Sequence, residues 1–321
     1  MKIKHFLYPF FIFLLLMNSC ALFSQTKERI SFNEDWLFIK SDLQNASEIS
    51  FDDSDWRKLN LPHDHAVEGP FKPEYNLRTG GLPVFDKSWY RKHFTIDADK
   101  KGKIITLEFD GMMCNSKIFI NGKEIYQRPY GYIGFEIDIT PFIKFGLENV
   151  IAISLNPEVL GSRWYTGAGI YRNVWLATKN KTHVAHWGTK ISTPKITKEK
   201  ATISIETTIE NSDEKSPKNA LLETTIFDEA GKKVAYTISK IDFKKSKSVK
   251  IQQNTTVLHP KIWDFETPHL YQVVSKIISN NKEVDEYQST FGIRTNRFSR
   301  EGFFINGRKE KIKGVCLHHD M

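Results

Sequence analysis

The chain of 321 residues carries a formal net charge of +8 at pH 7 and is 40% hydrophobic and 13% aromatic. This length exceeds what one hydrophobic core usually organises, so we expect at least two globular domains. The excess lysines alternate with apolar residues, as on the solvent side of a half-buried sheet, and do not form the basic cluster of a nucleic-acid interface. No nucleic-acid partner is predicted.

Residues 1–24 are typical of a secretory signal peptide. A short basic start precedes the apolar run FLYPFFIFLLLM, which is shorter than the roughly 20 residues of a transmembrane helix. Two processing routes remain open. Cleavage near residues 24–25 releases the protein, whereas cleavage at the lipobox-like MNSC leaves Cys20 lipidated as the sole membrane attachment. Both routes predict export, to the periplasm, to the outer membrane as a lipoprotein, or to the extracellular space.

Residues 27–178 form the first predicted domain. Short runs rich in β-branched and aromatic residues alternate with turn residues, which predicts strands. Asn121-Gly122 lies between two such runs and predicts a hairpin with a type I′ turn. The cysteines at positions 20, 114 and 316 have neither zinc-ligand nor paired spacing, so we predict no disulfide framework and no structural zinc.

The motif LPHDHAVEGPF at residues 61–71 concentrates titratable side chains. A metal site would use His63 and His65, which alternation places on one face, but no third or fourth ligand accompanies them. Proline and glycine mark the segment as a loop. We therefore expect its histidines and Asp64 to bond local backbone groups, and we predict no metal.

The motif RWYTGAGIYRNVWL at residues 163–176 combines an aromatic pair with a glycine-rich bend. It has neither the glycine spacing nor the following helix of a phosphate-binding loop. Trp164 and Tyr165 suit a half-wet cleft and face a ligand in one interpretation. In the other they pack against the sandwich edge, and the sequence taken alone favours this second interpretation.

Residues 179–294 form the second predicted domain, with about seven strands of regular alternation. Ile203, Ile205 and Ile209 fall on one period-2 face, and Ala230-Gly231 predicts another hairpin. With no cysteine pair present, the pattern indicates an immunoglobulin-like sandwich that lacks the usual disulfide.

Residues 295–321 begin a third region. Asn306-Gly307 predicts a hairpin, and KIKGVCL predicts a further strand that a seven-stranded sandwich does not need. His318, His319 and Asp320 would project from the end of this strand. In a parallel α/β barrel that end carries the active site, whereas in the alternative interpretation these residues form an ordinary loop cluster.

Several motifs in order resemble glycoside hydrolase family 2, which contains β-galactosidases, β-glucuronidases and β-mannosidases. The similarity is carried by LPHDHAVEGPF, SWYRKHF, FDGMMCNSKIFINGKEIYQRPYGYIGFEIDITPFI, WYTGAGIYRNVWL and KIKGVCLHHDM. It runs from about residue 30 to the last residue and is nearest to secreted bacterial β-galactosidase-like members. The resemblance implies an all-β fold, with a jelly-roll sugar-binding domain and an immunoglobulin-like sandwich, followed by the first strand of a truncated (β/α)8 barrel.

The resemblance also implies a retaining hydrolase with two glutamates on later barrel strands. We therefore name no catalytic residue, and we expect this chain alone to be inactive. A carbohydrate is the expected partner, and no cofactor is identifiable, although the resemblance leaves a cation in the rest of the barrel open.

Candidate substrate-binding residues follow from the resemblance. His318 matches a histidine that contacts the sugar in family members, and His319 and Asp320 lie on the same loop. Arg163 stands where well-known members have a sugar-contacting aspartate, so an acidic sugar is conceivable; its neighbour Trp164 is a further candidate. Asn115 is a weaker one, with packing at the start of a strand as its alternative role.

Two other classes of function remain as alternatives. A jelly-roll followed by a sandwich can bind sugar without catalysis, as a carbohydrate-binding protein. An adhesion or scaffold module is the third class, because β-sandwiches serve many roles. The terminal HHD sequence argues against it, since adhesion does not call for the start of a barrel.

Overall fold

The computed structural model describes residues 28–72, 74, 86–157, 167–213, 217–244 and 246–315. These residues form β-strands joined by loops and by short 3-10 turns at His65–Glu68, Ala98–Lys100 and Thr140–Phe142. In the described part of the chain, no helix is both long and apolar enough to span a membrane. The predicted all-β class is confirmed.

The first sandwich is built from two antiparallel sheets. Its strands are β1 (Glu28–Ser31), β2 (Trp36–Ile39), β3 (Arg57–Leu59), β4 (Ser88–Thr95), β5 (Ile104–Phe109), β6 (Ser116–Ile120), β7 (Lys123–Arg128), β8 (Phe135–Asp138), β9 (Glu148–Leu155) and β10 (Val174–Lys179). One sheet has the order β3-β2-β4-β9-β6-β7 and the other β1-β10-β5-β8. The inward residues of both sheets make one core around Trp36, Tyr90 and Phe109, as expected of period-2 side chains that meet between two sheets. This sandwich confirms the predicted jelly-roll domain.

The second sandwich has seven strands, as predicted. They are β11 (Thr182–Ile196), β12 (Lys200–Asn211), β13 (Leu221–Phe227), β14 (Lys233–Lys240), β15 (Ser248–Leu258), β16 (Tyr271–Ser279) and β17 (Lys282–Phe291). Three of them form the sheet β11-β12-β15, and four form β14-β13-β16-β17. Ile203, Ile205 and Ile209 are fully buried, which confirms the predicted apolar face of β12.

The three hairpins predicted from their turn residues are present in the structure. Asn121 and Gly122 join β6 to β7 with φ of 52° and 83°, the left-handed values that a type I′ turn requires. Gly231, with φ of 74°, lies in the turn between β13 and β14. Asn306 and Gly307 likewise turn a strand back on itself in the third region.

The third region forms a small sheet from β18 (Asn296–Ser299), β19 (Gly302–Ile305) and β20 (Arg308–Glu310). The described part of the predicted strand KIKGVCL, residues 311–315, has no strand pairing, and its side chains are exposed. A β-strand needs a neighbour for its backbone groups, and none of the described strands pairs with this segment. Residues 316–321 lie outside the described residues.

Candidate functional site

Three segments that are distant in sequence meet at one rim of the first sandwich. The backbone N–H groups of His63 and His65 donate to the carbonyls of Ile170 and Ala168, at 2.9 and 2.8 Å. Gly169 exchanges two hydrogen bonds with Met113, at 2.9 and 3.1 Å. The LPHDH loop, the MMCN segment and the GAGIY segment therefore form one backbone-paired unit, which we call the rim.

Two glycines make this close approach feasible. Gly169 has φ of +147°, and a Cβ there would lie 2.3 Å from the His63 carbonyl oxygen and 2.7 Å from the Tyr90 hydroxyl. Gly167 has φ of +75°, and its Cβ would lie 2.5 Å from Asp64 Oδ2. Glycine alone avoids both the backbone strain and the overlap. The glycines thus allow the GAGIY segment to lie directly against the LPHDH loop.

Asp64 ties the two sides of the rim together. One of its carboxylate oxygens, Oδ1, accepts from the backbone N–H of Ala66 at 2.9 Å and from that of Ala168 at 2.8 Å. The first bond caps the 3-10 turn, as Asp does at helix starts. Burial raises the pKa of Asp64, although the two N–H donors oppose the rise. For Asp64, the expected bonding to backbone groups is confirmed.

His63 is held in a polar chain that runs from the surface into the core. Its Nδ1 lies 2.7 Å from the Tyr90 hydroxyl, and its Nε2 lies 2.7 Å from Arg57 and 3.0 Å from Glu68. A guanidinium can only donate, so Nε2 of a neutral His63 accepts from Arg57. Nδ1–H then donates to the Tyr90 hydroxyl oxygen. Burial lowers the pKa of His63 against the opposing effect of Glu68, which agrees with that neutral form. The chain orients the loop and does not present a proton donor to solvent.

His65 lies beneath this chain and is fully buried. Neither of its ring nitrogens has a hydrogen-bond partner among the described residues, and its ring packs 5.6 Å from that of Phe38. Burial, with Lys40 and His63 nearby, lowers the pKa of His65 to about 4. At neutral pH it therefore behaves as a neutral aromatic core residue. The expectation that the histidine side chains of this loop bond local backbone groups is wrong, because the His63 ring bonds other side chains and the His65 ring has no partner among the described residues.

Asn115 lies where the rim meets the chain that leads to residues 158–166. Its backbone N–H donates to the Pro129 carbonyl at 3.1 Å, and its side-chain amide donates to the Asn156 carbonyl at 3.1 Å. Its φ of 47° is in the left-handed region that Asn tolerates better than most residues. These bonds give Asn115 a clear packing role at the start of β6, and its predicted sugar contact stays a prediction.

The other candidate substrate-binding residues fall outside the described residues: Arg163, Trp164, His318, His319 and Asp320. The described residues on either side of 158–166 are Pro157 and Gly167, and Gly167 belongs to the rim.

A second polar cluster, at the junction of the two sandwiches, was not predicted. Glu108 of β5, Glu136 of β8 and His186 of β11 bring one ligand-type atom each to within 4.8 Å of one another. Arg29 donates to Glu108 at 2.6 Å, and the ammonium of Lys179 pairs with Glu136. The two carboxylates are thus already neutralised by two cations, so a divalent ion would meet uncompensated positive charge. Only the presence of charged residues inside apolar strands hinted at this cluster.

Glu108 stabilises the junction as a carboxylate. Burial alone would raise its pKa, but His186 and Arg29 offset that effect and lower the pKa to about 2. Because this value lies below the ordinary 4.5, the stabilisation is fully present above pH 4.5 and is lost as the pH falls toward 2.

Glu108→Gln is therefore expected to lower the free energy of unfolding by about 3 kcal/mol at neutral pH, and to flatten its decline in acid. Urea unfolding from about pH 7 to about pH 3 measures both effects. Glu124→Gln is the matched control, since Glu124 lies 3.9 Å from Lys117 in an exposed pair and should change little. Equal losses in the two variants would contradict the assignment of Glu108 as a buried junction anchor.

Comparisons with known proteins bear on both sandwiches. The profile of "Glycosyl hydrolases family 2, sugar binding domain" matches residues 16–180, and that of "Glycosyl hydrolases family 2" matches residues 182–294. The chain is 43% identical over 299 residues to the β-galactosidase BoGH2A of Bacteroides ovatus, covering 92% of this chain and 35% of that protein. It is 33% identical to a β-glucuronidase of Formosa agariphila, covering 91% and 32%. A solved family 2 member from Bacteroides cellulosilyticus superposes with a TM-score of 0.86 at 39% identity, covering 91% of this chain and 39% of that one.

Proposed function

The chain belongs to glycosyl hydrolases family 2. From this premise we propose that it is the N-terminal region of an exported retaining glycosidase, which cleaves O-glycosidic bonds and is β-galactosidase-like. Its two sandwiches are the family's sugar-binding domain and the domain that follows it. The chain spans about a third of the length of the curated relatives it matches. The activity of those longer proteins is therefore part of the proposal.

The single observation that carries the proposal is the match in order across both sandwiches, with the β-galactosidase of Bacteroides ovatus at 43% identity. The β-glucuronidase of Formosa agariphila is less similar, at 33% identity, so we place the galactoside first. Arg163, where well-known members have an aspartate, keeps an acidic sugar as the second substrate candidate. Export is supported by the basic and apolar leader at residues 1–24.

Sequencing the gene beyond the codon for Met321 tests the enzyme proposal directly. A continuing frame that encodes a (β/α)8 barrel with two glutamates at the ends of its strands is the expected result. A stop codon at that point in the native gene would instead favour the alternative, a carbohydrate-binding protein without catalysis. The description of the first domain's family as sugar-binding is the observation that keeps this alternative in view.

The described residues contain one pair of carboxylates that invites a catalytic interpretation. Oxygens of Glu108 and Glu136 come within 4.8 Å of each other, and retaining glycosidases use two carboxyl groups about 5–5.5 Å apart. One of the pair must act as a general acid near neutral pH. Glu108, with its pKa of about 2 and its bond to Arg29, cannot do so. Glu136 is paired with the ammonium of the buried Lys179, so its carboxylate balances that charge at the junction.

We accordingly expect the purified 321-residue chain to release no nitrophenol from nitrophenyl β-galactoside or β-glucuronide. A colorimetric assay of chromatographic fractions measures this, with the Glu108→Gln variant as the control for adventitious carboxylate chemistry. Turnover that co-elutes with the chain and disappears in Glu108→Gln would contradict the expectation. Turnover that persists unchanged in the variant identifies a contaminating glycosidase.

A further inference from the structure

Four large apolar side chains are exposed between the rim and the domain junction. Three lie between β7 and β8 of the first sandwich, and the fourth lies on β11 of the second sandwich. They are Tyr130, Tyr132, Ile133 and Trp187, with 55%, 43%, 56% and 63% of their surface exposed. We call them the aromatic strip. Contiguous exposed apolar surface of this kind marks an interaction site more often than chance.

The strip is continuous with the two sites already described. At one end, the carbonyl of Pro129 accepts from the backbone N–H of Asn115 on the rim. At the other end, the indole of Trp187 packs so closely on Gly134 that a Cβ there would lie 3.0 Å from its Cη2. A ligand seated along the strip would therefore reach the rim.

The backbone beneath the tyrosines is held in place. The Tyr171 hydroxyl donates to the Gly131 carbonyl at 2.8 Å, and Arg128 Nε donates to the Tyr130 carbonyl at 3.1 Å. A Cβ at Gly131 would lie 2.6 Å from the Met112 carbonyl oxygen, which shows how tightly this turn packs on the sandwich. The rings of Tyr130 and Tyr132 contact each other with centroids 5.4 Å apart. Rings held in this way lose little entropy when they bind a ligand.

Trp187 is exposed and has an unfavourable backbone conformation. Its φ of 52° lies in the left-handed region, which disfavours bulky residues by about 1–2 kcal/mol. It sits within the irregularity of β11 between Val184 and Thr189, and its indole gains a partial contact with His186, at 4.2 Å between ring centroids. Backbone strain combined with an exposed indole is typical of a functional position.

Positive charge borders the strip. Arg128 and Arg172 flank the tyrosines, and Arg172 is close enough to influence the pKa of Tyr171 together with Tyr130 and Tyr132. Among the described residues, neither guanidinium lies within ion-pair distance of a carboxylate. Guanidinium groups bind carboxylates and sulfates in a forked geometry. Aromatic faces suit the C–H faces of pyranose rings, and their hydroxyls suit the ring edges.

We infer that the aromatic strip binds an extended acidic glycan, a polysaccharide that bears uronate groups, and leads it toward the rim. The sugar rings stack on Tyr130, Tyr132 and Trp187, and their carboxylates pair with Arg128 and Arg172. This inference rests on the proposed function and deepens it, because it names the substrate class beyond the sugar that is cleaved.

Isothermal titration of the 321-residue chain with a short oligogalacturonate tests the inference, with a neutral galacto-oligosaccharide of the same length as the second probe. The wild type should bind the acidic probe more tightly. Tyr132→Ala and Trp187→Ala should each weaken that binding about tenfold, as loss of a central aromatic contact does. Arg172→Gln should reduce the preference for the acidic probe. Tyr236→Ala is the matched control, since Tyr236 is 42% exposed on the second sandwich and should bind as the wild type does.

Thermal unfolding of each variant separates lost binding from lost folding, and Tyr132→Ala keeps the test valid if Trp187→Ala unfolds. Failure of the wild type to bind either probe, or equal binding by wild type and Tyr132→Ala, overturns the inference. So does a wild-type dimer that Tyr132→Ala converts to monomer with glycan binding intact, because a second copy would then cover the strip. None of these results alters the gene-sequencing test of the enzyme proposal, so the two can fail separately.

Discussion

Gly169→Ala is expected to lower the free energy of unfolding by about 3–5 kcal/mol, among the largest effects of any single methyl group in this chain. The new Cβ would lie 2.3 Å from the His63 carbonyl oxygen and 2.7 Å from the Tyr90 hydroxyl. A backbone carbonyl cannot rotate away as a long side chain can. The added methyl must therefore break the pairing between the LPHDH loop and the GAGIY segment, or the pairing of Gly169 with Met113.

Gly231→Ala is the matched control for this prediction. Gly231 also has a positive φ, +74°, but a Cβ there would meet nothing within 4 Å. Its replacement should cost about 1 kcal/mol, the strain of the left-handed backbone alone. Urea unfolding of both variants measures the difference. Equal losses would show that backbone strain, and not contact with the LPHDH loop, sets the cost at Gly169.

The rim depends on contacts that no local sequence pattern encodes. Hairpins at residues 121–122 and 306–307 were predictable because the turn residues and the strands they join are adjacent in sequence. The buried face of β12 was predictable because its alternation is local. His63 and Ile170, by contrast, are paired by the path of the whole sandwich, so the sequence identified both motifs without showing that they meet.

The junction cluster was unpredictable for a related reason. Glu108, Glu136 and His186 come from three strands in two sandwiches. A charged residue inside an apolar strand is a local signal, but it does not show which other strands supply its partners. The predicted strand at residues 311–315, which is unpaired in this structure, shows the opposite limit. Its composition favours a strand, but β structure also needs a pairing partner, and composition does not reveal whether the described chain supplies one.

Asp53→Asn is expected to cost about 3–5 kcal/mol, the usual result of leaving a buried cation without its partner. Arg91 of β4 is fully buried, and its Nε donates to Asp53 Oδ2 at 2.6 Å. Its Nη1 also donates to the carbonyls of Ala46 and Glu48. These bonds fasten the loop between β2 and β3 to the six-stranded sheet. The substitution keeps the shape of the side chain and removes only the charge that balances the guanidinium.

The pH dependence of stability distinguishes this ion pair from simple packing. Burial alone would raise the pKa of Asp53, but hydrogen bonds from Arg91 and His93 lower it overall. The stabilisation is therefore present above the ordinary pKa of 3.8 and is lost as the pH falls through the lowered value. Asp53→Asn should remove that part of the acid dependence, whereas Asp42→Asn, which breaks an exposed pair with Lys87, should cost less than about 1 kcal/mol. If Asp53→Asn retained the wild-type stability and acid dependence, the guanidinium of Arg91 would have to be balanced by its carbonyl partners alone.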